Sequence, residues 1–139
     1  MRLKKLKAAR KTMGFFRIHF KIRPPYKLIM DGCFLHNAYK VKFEELIRKL
    51  FQADVTIYIT NCVRAELEQL GEKVADTLDA AKKLRVLKCG HKHSPLAPAE
   101  CISKLVGGNN AKKYVVASTD TELMDKLRVR FGFVLCLYR

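Results

Sequence analysis

Two cysteines and two histidines lie close together in one short stretch that also contains two prolines. The stretch KCGHKHSPLAPAEC, residues 88–101, holds Cys89, His91, His93 and Cys101. Thiolate sulfur and imidazole nitrogen are the usual ligands of Zn²⁺, which takes four of them in tetrahedral geometry at a structural site. The spacing therefore indicates a metal site, and the alternative is a basic loop with free thiols.

Carboxylates next to predicted strands form a second set that could do chemistry. Asp31 follows the apolar run YKLIM, and Asp120 follows YVVAS; both runs are typical of buried strands. Glu66 lies on the apolar stripe of the helix predicted for CVRAELEQLG, where a carboxylate needs a partner because burying a bare charge is costly. Glu122 is open to two interpretations, since Thr119 and Glu122 have capping-box spacing. Converging acids would bind Mg²⁺ or Mn²⁺ and activate water for phosphodiester cleavage, although acids at strand ends are also common without a metal.

The chain is strongly basic, and the cations are unevenly distributed. Lys and Arg number 28 against 13 Asp and Glu, which gives a net charge of +15. This excess favours a phosphate-rich partner over a merely soluble basic surface. Residues 1–23 contain no acid and are interpreted as a basic arm that lies on nucleic acid; a nuclear import signal or a mitochondrial transit peptide has a similar composition. Phe15, Phe16 and Phe20 either stack on bases or anchor this arm. The candidates for RNA contact are Arg2, Lys4, Lys5, Lys7, Arg10, Lys11 and Arg17 in the arm, and Lys88 and Lys92 in the loop.

The length and composition indicate one folded domain. The chain has 139 residues, of which 49% are hydrophobic, and this is enough for a core without disulfides. We expect no membrane span and no secretion signal, because no long uncharged apolar run is present. The five cysteines then favour reduced thiols or metal ligands. Cys33 and Cys136 lie in apolar stretches and are predicted to be buried.

Apolar patterns predict strands and helices in alternation. The predicted strands cover 26–31, 55–60, 114–118 and 133–138, and the predicted helices cover 43–52, 62–71, 73–84, 98–106 and 120–129. Strands separated by helices imply right-handed crossovers and a parallel sheet with helices on both faces. Ligands bind such sheets beyond the carboxyl ends of the strands, which is where Asp31 and Asp120 are expected.

The order of the segments LIMDG, ITNCVRAELEQLG and YVVASTD resembles a PIN domain, the nuclease-like fold of many RNA-processing and toxin endonucleases. The resemblance implies a PIN-like three-layer α/β/α domain at 24–139, with a central parallel sheet and a zinc-finger loop inserted around 84–104, after the arm at 1–23. The GFFR segment, FQADVTIYIT and the KCGH loop make the whole chain similar to the eukaryotic rRNA-processing family of U-three-snoRNA-associated protein twenty-three. The related Faf-copurifying factor shares the core and resembles the arm less.

This resemblance implies a function and a set of partners. It implies a ribosome biogenesis factor of the small-subunit processome, located in the nucleolus and nucleus, that binds pre-rRNA and a box H/ACA small nucleolar RNA during early 18S rRNA maturation. It also implies a structural zinc held by Cys62, Cys89, His91 and Cys101, while a set with His93 in place of Cys62 stays open. We expect a monomer that binds processome proteins and does not associate with a membrane.

The resemblance also bears on catalysis. Several relatives have lost acids of the nuclease site, so the family is regarded as a binding platform more than as a nuclease. This chain has acids at all four positions, Asp31, Glu66, Asp120 and Glu122. The resemblance thus implies a protein that is not an enzyme, while the complete set of acids keeps an active Mg²⁺- or Mn²⁺-dependent endoribonuclease open as the alternative. A toxin is disfavoured, because toxins rarely carry this arm or a zinc loop.

Overall fold

The computed structural model describes residues 3–19, 21–40, 42–129 and 133–135. The elements are α1 (Leu3–His19), β1 (Tyr26–Met30), α2 (Gly32–Ala38), α3 (Phe43–Phe51), β2 (Val55–Thr60), α4 (Asn61–Leu70), a 3-10 turn (Gly71–Val74), α5 (Ala75–Lys82), β3 (Arg85–Leu87), α6 (Pro98–Val106), β4 (Tyr114–Ala117), α7 (Thr121–Val129) and β5 (Phe133–Leu135). No helix in these ranges is both long and apolar enough to cross a bilayer.

The strands form one parallel sheet in the order β3-β2-β1-β4-β5. The central strand β1 is apolar and buried because helices cover both faces of a parallel sheet. Met30 at the end of β1 is paired with Ala117 at the end of β4, so the residues that follow these two strands lie side by side. This arrangement confirms the predicted α/β class with a central parallel sheet.

The core is built from the sheet and from the apolar stripes of the surrounding helices. Phe34 and Leu35 of α2, Leu50 of α3, Val63 of α4 and Ile102 of α6 are all at most 1% exposed. Each side chain of this size contributes roughly 1.5–3 kcal/mol when it leaves water. This packing fixes the helix starts against the carboxyl edge of the sheet, which is where both candidate sites lie.

Two short elements and one long one were not predicted from the sequence. The helix α2 has seven residues and β3 has three, which is too few for a periodic pattern to be recognised. The predicted basic arm is helical over Leu3–His19, and the buried Met13 packs it against the domain. Phe15 is 52% exposed, and Phe20 lies outside the described residues.

Candidate metal centre and acidic site

The structure brings three sulfur atoms and one imidazole nitrogen together beside β2 and β3. The ligand atoms of Cys62, Cys89, His91 and Cys101 all lie within 4.8 Å of one another. The Sγ atoms of Cys62 and Cys89 are 3.8 Å apart, and Cys62 Sγ is 3.6 Å from Nδ1 of His91. His93 is exposed and is not part of this cluster.

These separations fit a tetrahedral zinc ion. With Zn–S bonds of about 2.3 Å and Zn–N bonds of about 2.0–2.1 Å, the edges of a tetrahedron are about 3.8 Å between two sulfurs and about 3.6 Å between sulfur and nitrogen. The two measured separations, 3.8 Å and 3.6 Å, agree with these edges. Three thiolates and one imidazole also form a donor set that selects Zn²⁺ over hard cations.

Two helix starts and one turn position the four ligands. Thr60 caps α4 by accepting a hydrogen bond from the amide of Val63 at 3.1 Å, which places Cys62 in the first turn. Cys101 lies in the first turn of α6, which opens with Pro98. Helix N-termini favour a thiolate. Between Cys89 and His91 the chain turns at Gly90, whose φ of +78° is readily available only to glycine.

The protonation of the cluster without a metal is uneven. Burial disfavours the charged form of Cys89, but hydrogen bonds from the backbone of His91 and from the Cys101 side chain outweigh it and lower the pKa of Cys89 to about 7. Burial raises the pKa of Cys101 well above its ordinary value, and its contacts with Cys62 and Cys89 act in the same direction. The amide of Leu96 donates to Cys62 Sγ at 3.3 Å. Cys89 therefore ionises more readily than Cys101, and a bound cation would favour the thiolate form of both.

Asp31 is the most buried of the four predicted acids, with 6% exposure. One carboxylate oxygen accepts a hydrogen bond from the amide of Phe34 at 2.6 Å and thereby caps α2. The other accepts the hydroxyl of Ser118, and the Ser118 oxygen accepts the amide of Asp120 at 3.0 Å. Burial raises the pKa of Asp31 in spite of these hydrogen bonds, and the charge of Asp120 adds to the rise.

Ser118 was missed in the sequence analysis although it links two of the predicted acids. Its hydroxyl is fully buried between Asp31 and the backbone of Asp120. The available signal was its position at the end of YVVAS, on the strand that becomes the neighbour of β1. A hydroxyl at such a strand end is a natural bridge between carboxylates on adjacent strands.

Of the two interpretations left open for Glu122, the capping box with Thr119 does not match the structure. Asp120 itself caps α7, because its side chain accepts the amide of Leu123 at 3.1 Å. The helix therefore begins one residue later than a cap at Thr119 requires, and Glu122 is an exposed residue in its first turn. Asp120 thus has the capping role that one interpretation of the sequence places on Thr119 and Glu122.

Glu66 faces the acidic edge but is exposed, so the predicted burial of this carboxylate is wrong. Its Oε2 lies 3.7 Å from the position that a Cβ would take on Gly32, at the start of α2. Partial burial raises the pKa of Glu66, and the charge of Asp31 adds to the rise. Cys33 is also exposed, so its predicted burial is wrong. Partial burial of the thiol raises its pKa, and the charges of Asp31, Glu66 and Asp120 add to the rise. Cys136 lies outside the described residues.

The candidate RNA contacts occupy two surfaces. Lys4, Lys7, Lys11 and Arg17 are exposed on α1, and Lys88 and Lys92 are exposed on the loop that carries the cysteines. Arg10 is half-buried, and its Nη2 donates to the carbonyl of Lys49 at 2.9 Å. Arg2 lies outside the described residues, and the side chain of Lys5 is not described. Arg10 thus holds α1 against α3.

Comparison with known proteins identifies the family. The model of the Fcf1 family matches residues 49–138. The chain is 32% identical over 132 residues to the rRNA-processing protein utp23 of Schizosaccharomyces pombe, a match that spans 92% of this chain and 51% of that protein. It is 30% identical over 117 residues to the rRNA-processing protein FCF1 homolog of Homo sapiens, across 82% of this chain and 58% of that one. The chain therefore spans about half the length of the curated relatives it matches.

A solved structure supports the same assignment. The structure described as the PIN domain endonuclease Utp24 superposes with a TM-score of 0.72 at 29% identity, and the match covers 85% of this chain and 90% of that one. The family match covers more than half of the chain, and the shared fold covers 85% of it. The chain belongs to the Fcf1 family and has the fold of a PIN domain.

Proposed function

We propose that this chain is a ribosome biogenesis factor of the small-subunit processome, which binds pre-rRNA and a box H/ACA small nucleolar RNA during early 18S rRNA maturation in the nucleolus. The observation that carries the proposal is the family match, together with relatives described as rRNA-processing proteins. The net charge of +15 supports a polyanionic partner.

In this proposal the PIN domain is a binding platform. Residues 1–23 supply a basic arm on a domain of residues 24–139, and the zinc-finger loop around 84–104 presents Lys88 and Lys92. The acids support this interpretation because two of them already serve the fold. Asp31 caps α2 and Asp120 caps α7, so each has a structural reason to be present without catalysis.

The zinc in this proposal is structural and is held by Cys62, Cys89, His91 and Cys101. It would connect three segments: the start of α4, the loop after β3 and the start of α6. Zinc binding supplies folding free energy at such sites. The loop that presents Lys88 and Lys92 would then depend on the metal for its shape.

The second candidate function is a metal-dependent endoribonuclease. Asp31, Glu66 and Asp120 affect one another electrostatically at the carboxyl edge of the sheet, and the solved structure with this fold is described as an endonuclease. Asp31 and Asp120 would be the direct ligands of Mg²⁺ or Mn²⁺. Glu66 would share or orient the metal, and Glu122 would contribute less. The metal would supply activation of water and stabilisation of the leaving oxygen.

One experiment separates the two functions. A labelled single-stranded RNA is titrated with the wild-type chain, with Asp31→Asn, and with a Lys4, Lys7 and Lys11→Gln triple variant, and cleavage is followed with and without Mn²⁺. If the domain is a binding platform, Asp31→Asn should bind RNA as well as the wild type does, and the triple lysine variant should bind it more weakly. None of the three proteins should cleave the RNA. Manganese-dependent cleavage by the wild type that Asp31→Asn abolishes would establish the nuclease. Equal cleavage by both proteins would show a contaminant, and no RNA binding by the wild type would refute both functions.

A further inference from the structure

A small crevice separates the N-terminal helix from α3 and the start of β1. Its volume is about 110 Å³, and it is lined by Arg10, Met13, Gly14, Arg17, Tyr26, Leu50, Phe51 and Gln52. Met13, Tyr26, Leu50 and Phe51 are buried and form an apolar floor. The charged residues among this lining are two arginines from α1, so the crevice is electropositive.

Arg10 lines the crevice, and its guanidinium group is only partly hydrogen-bonded within the described residues. Its Nη2 is bonded to the carbonyl of Lys49, in the last turn of α3, where a cation also meets the negative end of the helix dipole. Its Nε is buried and has no acceptor among the described residues. A buried charged donor without an acceptor is unfavourable. The Arg10 guanidinium is thus only partly satisfied within the described residues, and an anion in the crevice would interact favourably with its charge.

Arg17 and Gly14 complete the crevice on the same face of α1. Positions 10, 14 and 17 follow the i, i+4, i+7 spacing, so they lie along one stripe of the helix. Gly14 contributes no side chain between the two arginines, and a Cβ added there would meet no atom within 4 Å. Glycine lowers the stability of a helix interior. Its presence here leaves open the space that the two guanidinium groups border.

We propose that this crevice binds one phosphate group, held by the guanidinium groups of Arg10 and Arg17. Guanidinium groups recognise phosphate oxygens through charge-assisted hydrogen bonds. The side-chain amide of Gln52, which also lines the crevice, is a further donor. The natural source is a phosphodiester of the RNA backbone, and in that respect the inference rests on the proposed RNA-binding function. The half-buried Arg10 then has two roles, since it anchors α1 and also fixes the position of one backbone phosphate.

The test uses inorganic phosphate as the probe and the full chain as the protein. Thermal unfolding is measured with rising phosphate and, in parallel, with chloride at matched ionic strength. We expect phosphate to raise the unfolding temperature of the wild type beyond the effect of chloride. Arg17→Gln should weaken phosphate binding by about tenfold or more, as expected for the loss of a charged hydrogen bond. Gly14→Leu should abolish it by occupying the crevice, while it replaces glycine with a better helix former. Arg85→Gln is the matched control, an exposed arginine of β3 that lies outside this lining and outside the basic arm, and should keep wild-type binding.

The same variants are then titrated with single-stranded RNA, which separates the source of the phosphate. If the RNA backbone is the source, Gly14→Leu should weaken RNA binding without any change of charge. Two results would overturn the crevice as a phosphate site while leaving the RNA-binding function intact. In one, a variant loses RNA binding but keeps phosphate binding. In the other, phosphate raises the unfolding temperature of all four proteins equally. If Arg17→Gln and Gly14→Leu both lose phosphate binding and the wild type does not bind RNA, the crevice is a site for free phosphate. That result would refute the RNA-binding function.

Discussion

The carboxyl edge of the sheet carries two clusters that differ in what their side chains do for the fold. On the side of β2 and β3, Cys62, Cys89, His91 and Cys101 come from three separate segments and converge on one point. On the side of β1 and β4, Asp31 and Asp120 are each held by an amide of the helix that follows its own strand.

If the first cluster holds zinc as proposed, this difference separates a site that depends on a ligand from one whose side chains are already hydrogen-bonded. The sulfur atoms of the first cluster contact chiefly one another, so removing a metal would leave several buried thiols competing for protons. The carboxylates of the second cluster keep their hydrogen bonds with no metal, because Phe34, Ser118 and Leu123 supply donors. A shared position in the fold therefore does not imply a shared dependence on metal.

The largest expected effect on stability comes from removing one ligand of the first cluster. Cys89→Ser should release the zinc and lower the free energy of unfolding by several kcal/mol, because apparent zinc-binding energies at structural sites are on the order of 10 kcal/mol and contribute directly to folding. Elemental analysis of the purified protein and thermal unfolding followed by circular dichroism measure the two effects.

The control for this prediction is His93→Ala, which removes the exposed imidazole of the same loop. It should keep one zinc per chain and wild-type stability. Purified wild-type protein without zinc would contradict the site, and zinc retained by Cys62→Ser but lost from His93→Ala would assign the fourth ligand to His93.

A second prediction contrasts the charges beside the two clusters. Replacing both Lys88 and Lys92 with Gln should weaken single-stranded RNA binding by about tenfold and flatten the slope of log K against log salt by about 1.4, since each phosphate contact contributes about 0.7. Zinc content should not change. Replacing the exposed Glu66 and Glu122 with Gln at the acidic edge should leave RNA binding equal or slightly stronger. A larger loss from the glutamate pair than from the lysine pair would place the RNA on the acidic edge.

The parts of the two clusters that could be predicted from sequence are those formed by residues close together in the chain. The strand runs and the Cys-x-His pair are local patterns, so the parallel sheet and three of the four cluster members could be predicted from residue types alone. Cys62 lies 27 residues before Cys89, and its place was taken from the family resemblance. The link through Ser118 joins residues 87 positions apart and depends on strand order, which periodicity does not give.

Local competition explains the errors at the acidic edge. Thr119 and Asp120 are both good N-cap residues, and the spacing of Thr119 and Glu122 satisfied a capping rule. The helix starts after Asp120 because the hydroxyl of Ser118 binds the amide of that residue and fixes the turn. Glu66 lies on the predicted stripe, but that stripe reaches the edge of the sheet, where its carboxylate is exposed.

A third prediction tests the structural role of Asp120. Asp120→Ala should lower the free energy of unfolding by about 1 kcal/mol, the usual cost of losing an N-cap acceptor. Glu122→Ala in the same turn should change it by no more than a few tenths of a kcal/mol, because that side chain is exposed. Chemical unfolding in urea measures both. Equal losses from the two variants would restore a capping role for Glu122.

The smallest expected effect concerns the charge of Asp31 in metal-free protein. Burial and the nearby Asp120 raise the pKa of Asp31 above its ordinary value of 3.8. The folded state therefore holds this proton more tightly than the unfolded state does, and stability falls as pH rises from that value through the raised folded pKa. Asp31→Asn keeps an oxygen for the amide of Phe34. Its new amide group reverses the Ser118 contact, because it donates to the Ser118 oxygen where the carboxylate accepted the hydroxyl. Since the substitution removes the buried charge, the variant should be more stable than the wild type near neutral pH by at most on the order of 1 kcal/mol. The gain should disappear below the ordinary aspartate pKa, where both chains are neutral at this position.

Urea unfolding across acidic and neutral pH in the presence of a chelator for Mg²⁺ and Mn²⁺ measures this difference. A wild type that is the more stable protein at neutral pH would show that the ionised carboxylate is favourable in the fold without a metal.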